Sequence, residues 1–319
     1  MKQRIDTLDF LRGFALLGII LINIGQIVPY LSNKQSDYFI GLFLNYAVYE
    51  HFFVIFSFLF GIGFYIFITR AKNRGDNSTI LFIRRLTVLL IIGLIHHQFQ
   101  PGEALLPYAI FGFILIPFYR LKPIINFVIA VILLVLFLLI GGGILMILPM
   151  FLLGLCTGQW KIFENLSVYE KGVRAVQLIF LCLTPFAIYA QYILLEKYGQ
   201  VDLGSAVSGI VMSTLYVTTL TLLLRHNAVQ KLLSPLKYIG RMALTNYLVQ
   251  TMLILAANAL FHLQGQAHLS TLMFIAISIL IIQMIYSTIW FKYFKIGPIE
   301  YIWRILTYGK LPDRYKKAS

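Results

Sequence analysis

Residues 82–119 read FIRRLTVLLIIGLIHHQFQPGEALLPYAIFGFILIPFY, and this stretch indicates the class of fold. Two apolar runs, 82–98 and 104–119, flank a short connection that contains Pro101 and Gly102, which are typical turn residues. Each run is close to the length of about 20 residues that crosses the hydrocarbon core of a bilayer. Arg85 and Arg120 mark the two far ends of this hairpin. The stretch therefore predicts a pair of membrane-spanning helices.

The same pattern extends along the chain. Hydrophobic residues make up 60% of the sequence and charged residues 12%, whereas a soluble domain carries roughly 25% charged residues. A continuous helix over 124–160 would be about 55 Å long, so we expect the Gly141–Gly143 run to divide it. The sequence predicts an all-α polytopic membrane helix bundle that forms a single integral membrane domain over residues 1–319. Its ten predicted spans are 10–30, 46–69, 82–98, 104–119, 124–140, 144–160, 174–195, 205–224, 239–261 and 269–291.

The distribution of basic residues predicts the orientation. With ten spans and both termini in the cytoplasm, only Lys34 and Lys197 of the 26 Lys and Arg residues fall outside, which leaves 24 inside. Because the net charge of +14 is dispersed over short loops, we expect no nucleic-acid partner. Cys156 and Cys182 lie within apolar segments, so we expect neither a disulfide framework nor a metal site.

A short helix is predicted after the last span. Residues 297–309 read GPIEYIWRILTYG, in which Pro298 suits a first helical turn and Gly309 a helix end. Glu300 and Arg304 have i,i+4 spacing. We expect an interfacial helix with one apolar side formed by Ile299, Ile302, Trp303 and Leu306.

Arg85 and His96 form the sharpest polar pair within a predicted span. Eleven residues make three turns plus about 20°, so the two side chains share one helix face about 16 Å apart along the axis. In a functional interpretation, Arg85 anchors an anion and His96 acts as a general base. The structural alternative is an orientation-setting arginine and a hydrogen-bonded histidine at a helix end.

Other polar residues are expected near the same two depths. Glu50, His51, His97 and Glu103 lie towards the outer side, where a carboxylate could orient an imidazole. In the first span, Arg12 and Asn23 also lie eleven residues apart, and Asp9 is close enough to pair with Arg12. The ninth span carries Arg241 and Thr245, Asn246 and Gln250, and Asn258 and His262 at i,i+4 spacing. Helix caps and interhelical hydrogen bonds are the alternative interpretation of all these residues.

Several motifs in the same order resemble the YeiB-like bacterial membrane proteins. They are RIDTLDFLRGFALLGIILINI (4–24), FSFLFGIGF (56–64), GEALLPYAIFG (102–112), GRMALTNYLVQT (240–251) and GPIEYIWR (297–304). The resemblance covers nearly the whole chain, and it places a YeiB-like domain of unknown function at about 145–312. It also implies that the chain lies in the bacterial cytoplasmic membrane.

The YeiB-like family is in turn similar to the transmembrane acyltransferase superfamily, whose ten-helix members transfer an acyl group from cytoplasmic acyl-CoA to an acceptor. The superfamily signature Arg-x10-His matches Arg85 and His96. The usual acid of a G-D-I-L stretch is Glu103 here, in G-E-A-L. The roles we expect from this resemblance and the polar pattern are catalysis by His96, Glu103 and Glu50, acyl-CoA binding by Arg85, Arg84 and Arg12, and acceptor or oxyanion contacts by Asn23, Asn246 and His97.

The leading hypothesis is transfer of an acyl group, acetyl above all, from acyl-CoA to an envelope sugar, lipid or small metabolite. Membrane lipids are the expected surroundings, no metal is expected, and the oligomeric state stays open, a homodimer included. The rival hypothesis is a transporter or flippase that moves an amphiphile along the same polar face without covalent chemistry. A structural or regulatory membrane protein is a third alternative.

Overall fold

The computed structural model describes residues 5–31, 35–199 and 201–309. Regular structure in these ranges is helical, and Leu31 and His268 form an isolated β-bridge. Short 3-10 helices occupy Ile116–Arg120 and Gly143–Met146. The α-helices are α1 (Asp6–Ile27), α2 (Gln35–Ala47), α3 (His51–Lys72), α4 (Ser78–His97), α5 (Leu105–Leu115), α6 (Pro123–Leu139), α7 (Ile147–Gln159), α8 (Leu166–Tyr198), α9 (Val201–Leu223), α10 (Asn227–Leu232), α11 (Ser234–Arg241), α12 (Ala243–Phe261), α13 (Leu269–Tyr293) and α14 (Pro298–Tyr308).

Ten apolar helical segments correspond to the ten predicted spans. Within the described ranges, seven are long and apolar enough to cross a bilayer: α1, the segment Asp37–Lys72, α4, α8, α9, α12 and α13. Three shorter apolar segments, Leu105–Arg120, Pro123–Leu139 and Gly143–Gln159, match the fourth to sixth predictions. The prediction of an all-α polytopic membrane bundle is therefore confirmed.

Helix α1 is the centre of the bundle. Leu11, Leu16, Ile20 and Ile24 on this helix are each fully buried. Leu11 packs in a cluster with residues of α3, α9 and α11, and Leu16 packs with residues of α3 to α7 and α12. Ile20 and Ile24 join a third cluster with α12 and α13. Helix α1 thus contributes to all three hydrophobic clusters of the bundle.

The glycine run divides α6 from α7 as predicted. Gly141, Gly142 and Gly143 have φ values of +105°, +73° and +61°, which residues with a Cβ rarely adopt. The chain therefore reverses here instead of continuing as one helix, and the two short helices pack against each other.

Two features differ from the sequence prediction. Helix α2 was not predicted, and it leaves Tyr38, Phe39, Leu42 and Phe43 exposed on its surface. The predicted ninth span over 239–261 is broken at Met242, whose backbone angles of −122° and 48° are not helical. The expected i,i+4 relation between Arg241 and Thr245 is therefore wrong, because these residues lie on different helices.

Glycines allow helices α3 and α7 to approach each other closely in the bundle core. A Cβ built on Gly154 of α7 would lie 2.0 Å from the carbonyl oxygen of Phe58 in α3, and one built on Gly61 would lie 2.0 Å from the carbonyl oxygen of Phe151. Backbone atoms cannot move aside as a flexible side chain can. The contact between α3 and α7 therefore depends on the absence of side chains at these two positions.

We predict that Gly154→Ala lowers the free energy of unfolding by roughly 1–3 kcal/mol, because the added methyl group forces the two helices apart. Unfolding in mixed detergent micelles measures the change. Gly172→Ala is the matched control, since Gly172 is exposed within α8 and a Cβ built there meets no atom within 4 Å. Equal stability of the two variants would contradict the close packing of α3 on α7.

Candidate functional site

A cavity of about 1120 Å³ lies between α1, α3, α4, α5, α12 and α14. Its lining residues on α1 run from Leu8 to Gln26, which corresponds to about 27 Å along the helix axis. We call one end the arginine end, lined by Arg12, Arg70, Arg74, Arg85, Arg241 and Arg304. We call the other the glutamate end, lined by Asn23, Gln26, Tyr49, Glu50, Glu103 and Tyr247. Aromatic side chains, among them Phe53, Phe56 and Phe60, line the stretch between the two ends.

At the arginine end, Arg85 stacks on an aromatic ring. Its guanidinium carbon lies 3.6 Å from the centroid of the Trp303 ring, and the Trp303 indole N–H donates to the Arg85 carbonyl oxygen at 2.9 Å. Such cation–π contacts hold an arginine without neutralising its charge. Arg12 forms the predicted ion pair with Asp9, at 2.9 Å. The cavity therefore presents an oriented arginine on a rigid aromatic support.

Helix α14 completes the arginine end because Glu300 fixes it to α12. The Glu300 carboxylate accepts hydrogen bonds from the Leu244 and Thr245 N–H groups at 2.8 and 3.1 Å, and from the Thr245 hydroxyl at 2.6 Å. Burial raises the pKa of Glu300 above its ordinary value, against the opposing effect of these hydrogen bonds. Glu300, which has i,i+4 spacing to Arg304 in the sequence, thus caps the start of α12.

His96, at the end of α4, contacts Glu103 and Tyr247 of the glutamate end and also Thr251 of α12. Its Nε2 lies 2.9 Å from the Thr251 hydroxyl, and its Nδ1 lies 3.5 Å from Oε2 of Glu103. The ring centroids of His96 and Tyr247 are 5.0 Å apart. The expected neighbourhood of His96 and Glu103 is therefore present in the fold, with both residues buried.

Glu103 is held in place by the helix that follows it. Its two carboxylate oxygens accept the Leu105 and Leu106 N–H groups at 2.7 and 2.6 Å, which caps the start of α5. The Tyr247 hydroxyl accepts the Ala104 N–H at 3.2 Å. Glu103 and Tyr247 line the cavity, whereas His96 is not among the lining residues. His96 thus lies behind a wall that these two side chains form.

Glu50 is the second carboxylate at the glutamate end, and its backbone is strained. Its φ of 66° with ψ of −32° is unusual for a residue with a Cβ. Within the part of the chain that the structure describes, its buried Oε2 has no hydrogen-bond partner. Strained and unsatisfied residues of this kind are concentrated at functional sites.

The remaining predicted site residues divide into two groups. Asn23 and Arg12 line the cavity, as their shared face on α1 predicts. Arg84 and His97 are exposed and lie outside the cavity lining. Asn246 is buried, and its side chain amide donates to Ser287 and to the Ile239 carbonyl oxygen. The fold thus does not bring these last three residues to the site. Among the described residues, no group of three or more His, Cys, Asp and Glu could hold a metal ion.

Thr251 and Gln100 were missed in the sequence. Thr251 donates to Oε1 of Gln100 at 2.8 Å, and both side chains are buried beside His96. Gln100 follows the predicted site residue His96 by four positions, which is a weak signal in the sequence, and no predicted site residue points to Thr251. Only the packing of α12 against α4 shows that they meet.

Comparison with known proteins places the chain in a family. Residues 157–310 match the family model described as "Protein of unknown function (DUF418)". The "Uncharacterized 39.9 kDa protein in amylase 3'region" of Bacillus acidopullulyticus is 43% identical over 343 residues, which cover 100% of this chain and 98% of that protein. The chain belongs to the DUF418 family.

Two further relatives of this DUF418 protein match along their whole length. YxaH of Bacillus subtilis (strain 168) is 26% identical, and the alignment covers 100% of this chain and 98% of the relative. YeiB of Escherichia coli (strain K12) is also 26% identical, with 99% and 100% covered. The resemblance to YeiB-like proteins is therefore confirmed. No solved structure matches the chain.

We predict that Glu50→Gly raises the free energy of unfolding by about 1 kcal/mol, because glycine adopts a positive φ without the steric cost of a Cβ. Thermal unfolding of the purified protein measures the shift. Glu50→Gln is the control that removes the charge and retains the Cβ, so it separates backbone strain from the effect of the carboxylate. A destabilised Glu50→Gly variant would show that the backbone at this position is not strained.

Proposed function

We propose that this DUF418 protein is an acyl-CoA-dependent transmembrane acyltransferase of the bacterial cytoplasmic membrane. The cavity is the observation that supports this proposal most, because arginines line one end of it and a buried histidine–glutamate pair lies at the other. In this proposal the arginine end and both termini face the cytoplasm, in agreement with the predominance of Lys and Arg on that side. Membrane lipids surround the bundle.

The arginine end would bind the phosphate groups of acyl-CoA. Arginine forms charge-assisted, bidentate hydrogen bonds with phosphate, and Arg85 and Arg12 both line the cavity. The Trp303 ring holds the Arg85 guanidinium from one face, so less side-chain entropy is lost when a phosphate binds. The aromatic middle of the cavity would accommodate the less polar pantetheine arm, which extends towards the glutamate end.

Transfer would take place beside Glu103. The acceptor hydroxyl or amine would reach Nδ1 of His96 past the Glu103 and Tyr247 side chains and give up its proton to that nitrogen. The acceptor atom would then form a bond with the thioester carbonyl carbon, and the carbon–sulfur bond would break. The leaving thiolate takes the proton from the imidazolium, which yields the acylated acceptor and free CoA. The Glu103 carboxylate would stabilise the imidazolium between these steps.

Asn23 and Glu50 would contact the acceptor. Both line the glutamate end, where Tyr247 also lies. The Asn23 amide could donate a hydrogen bond to the oxyanion that forms on the carbonyl oxygen. An envelope sugar, a lipid or a small metabolite would each offer the hydroxyl or amine that the reaction needs.

A transporter or flippase is the second candidate, and the length of the cavity favours it. The cavity follows α1 for about 27 Å, most of the thickness of a hydrocarbon core. An amphiphile with an anionic head could therefore move between the two ends without covalent change. The two candidates differ in whether the thioester bond is broken.

We predict that Arg85→Ala weakens acetyl-CoA binding at least about tenfold, because the loss of one charged hydrogen bond to phosphate is worth roughly 1.5–3 kcal/mol. Equilibrium binding of tritiated acetyl-CoA to the protein in lipid nanodiscs measures the effect. Arg84→Ala is the matched control, since Arg84 is adjacent in sequence but lies outside the cavity lining. Equal binding by both variants, or no binding by the wild-type protein, would contradict the proposed donor site.

We predict that His96→Ala lowers the rate of labelled acetyl transfer to bacterial envelope glycans and lipids by about 10²- to 10⁴-fold, because the general base is lost. His97→Ala serves as the control, because its side chain is exposed outside the cavity lining. Unchanged transfer by His96→Ala would overturn the assignment of the base. Movement of an amphiphile across the membrane of proteoliposomes that contain the protein, in the absence of CoA, would support the transporter hypothesis instead.

A further inference from the structure

We infer that Thr251 and Gln100 are positioning residues that keep the proton of neutral His96 on Nε2, so that the Nδ1 lone pair faces the cavity wall. The role of this lone pair in proton transfer rests on the proposed function. The hydrogen-bond chain itself can be tested without any activity.

Thr251 and Gln100 form a short buried chain behind His96. Nε2 of His96 lies 2.9 Å from Oγ1 of Thr251, which in turn lies 2.8 Å from Oε1 of Gln100. The exposed fractions are 6% for His96, 2% for Thr251 and 0% for Gln100, so bulk water does not compete for these bonds. The Gln100 N–H also donates to the His96 carbonyl oxygen at 3.1 Å, which fixes Gln100 relative to the histidine.

The direction of the hydrogen bonds follows from the orientation of the Gln100 amide and from the single hydrogen of the Thr251 hydroxyl. A threonine hydroxyl has one hydrogen, and with the Gln100 amide oriented as in the structure, that hydrogen goes to Oε1. Oγ1 of Thr251 can then serve His96 only as an acceptor. In neutral His96 the ring proton therefore lies on Nε2, and Nδ1 carries the lone pair.

The distances around Nδ1 are compatible with the same tautomer. The distance of 3.5 Å to Oε2 of Glu103 exceeds the usual 2.7–3.2 Å of a hydrogen bond. Both oxygens of Glu103 already accept backbone N–H groups at 2.7 and 2.6 Å. Within the described residues, Nδ1 has no hydrogen-bond partner. A proton on Nδ1 would thus have no hydrogen bond of normal length, whereas a proton on Nε2 has Thr251 as its acceptor.

This arrangement gives the site a defined direction of proton transfer. Glu103 lines the cavity and Thr251 does not, so Nδ1 is the ring nitrogen on the cavity side. An acceptor hydroxyl or amine that approaches Glu103 meets a nitrogen that can take its proton. With the other tautomer, the lone pair would point at Thr251, away from the reacting atoms.

The experiment determines the tautomer of His96 directly. Full-length protein is labelled with ¹⁵N,¹³C-histidine and reconstituted in lipid nanodiscs, and magic-angle-spinning NMR gives the imidazole shifts. Subtraction of the His96→Asn spectrum assigns the signal among the six histidines. We expect the Nε2–H tautomer in the wild-type protein and in Thr251→Ser, which keeps the hydroxyl.

Two variants should move the proton to Nδ1. Thr251→Val removes the acceptor of the Nε2 proton. Gln100→Leu keeps Thr251 but frees its hydroxyl hydrogen to donate to Nε2, so the same shift arises from a residue that does not contact the ring. A purely structural role of Gln100 would not change the tautomer in this direction. Thermal unfolding of each variant shows that the compared proteins are folded.

The Nδ1–H tautomer in the wild-type protein, or an Nε2–H tautomer that persists in both folded variants, would overturn the inference. In the transfer assay we expect Thr251→Val to lower kcat roughly a hundredfold with KM unchanged, and Thr251→Ser to restore it. A wild-type protein without any acetyl transfer would remove the proposed function, and the NMR result would still decide whether Thr251 and Gln100 set the tautomer.

Discussion

The bilayer imposes the constraint on which this structure depends: a charged side chain within the bundle must face protein or water, never lipid. The DUF418 protein satisfies it by gathering polar groups onto one cavity. Arg12 and Arg85 lie on different helices, yet both face the same space. Glu50 and Glu103 meet that space at its other end. The cavity is thus the direct result of placing charge in an apolar protein.

Two elements maintain this cavity. Helix α1 joins all three hydrophobic clusters and supplies one polar stripe, so it is at once the core of the bundle and a wall of the site. Helix α14 is attached at the opposite end of the chain, where Glu300 caps α12 and Trp303 supports Arg85. The broken start of α12 at Met242 provides the free N–H groups that Glu300 needs. The helix break at Met242 and the C-terminal helix α14 therefore act together to complete the arginine end of the cavity.

Much of the fold could be predicted from the sequence because apolar length and glycine placement are local signals. The division at Gly141–Gly143 and the pair of Asp9 with Arg12 follow from neighbours in the chain. The site could be predicted only in part. Spacing on α1 and α4 identifies Arg12, Asn23 and Arg85, which line the cavity, yet it cannot tell that His96 lies behind the lining or that Arg84 faces away from it. Thr251 reaches His96 from another helix, 155 residues away, and no local pattern carries that contact.

In the proposed function, one cavity holds the acyl donor, with its phosphates at the arginine end and its acyl group at the glutamate end. A cryo-electron microscopy structure of the protein in nanodiscs with a non-hydrolysable thioether analogue of acetyl-CoA tests it most directly. We expect density for the phosphates beside Arg85 and Arg12, and for the acyl end beside Glu103 and Tyr247. A cavity without analogue density, or an analogue bound on the outer surface near Arg84, would contradict it.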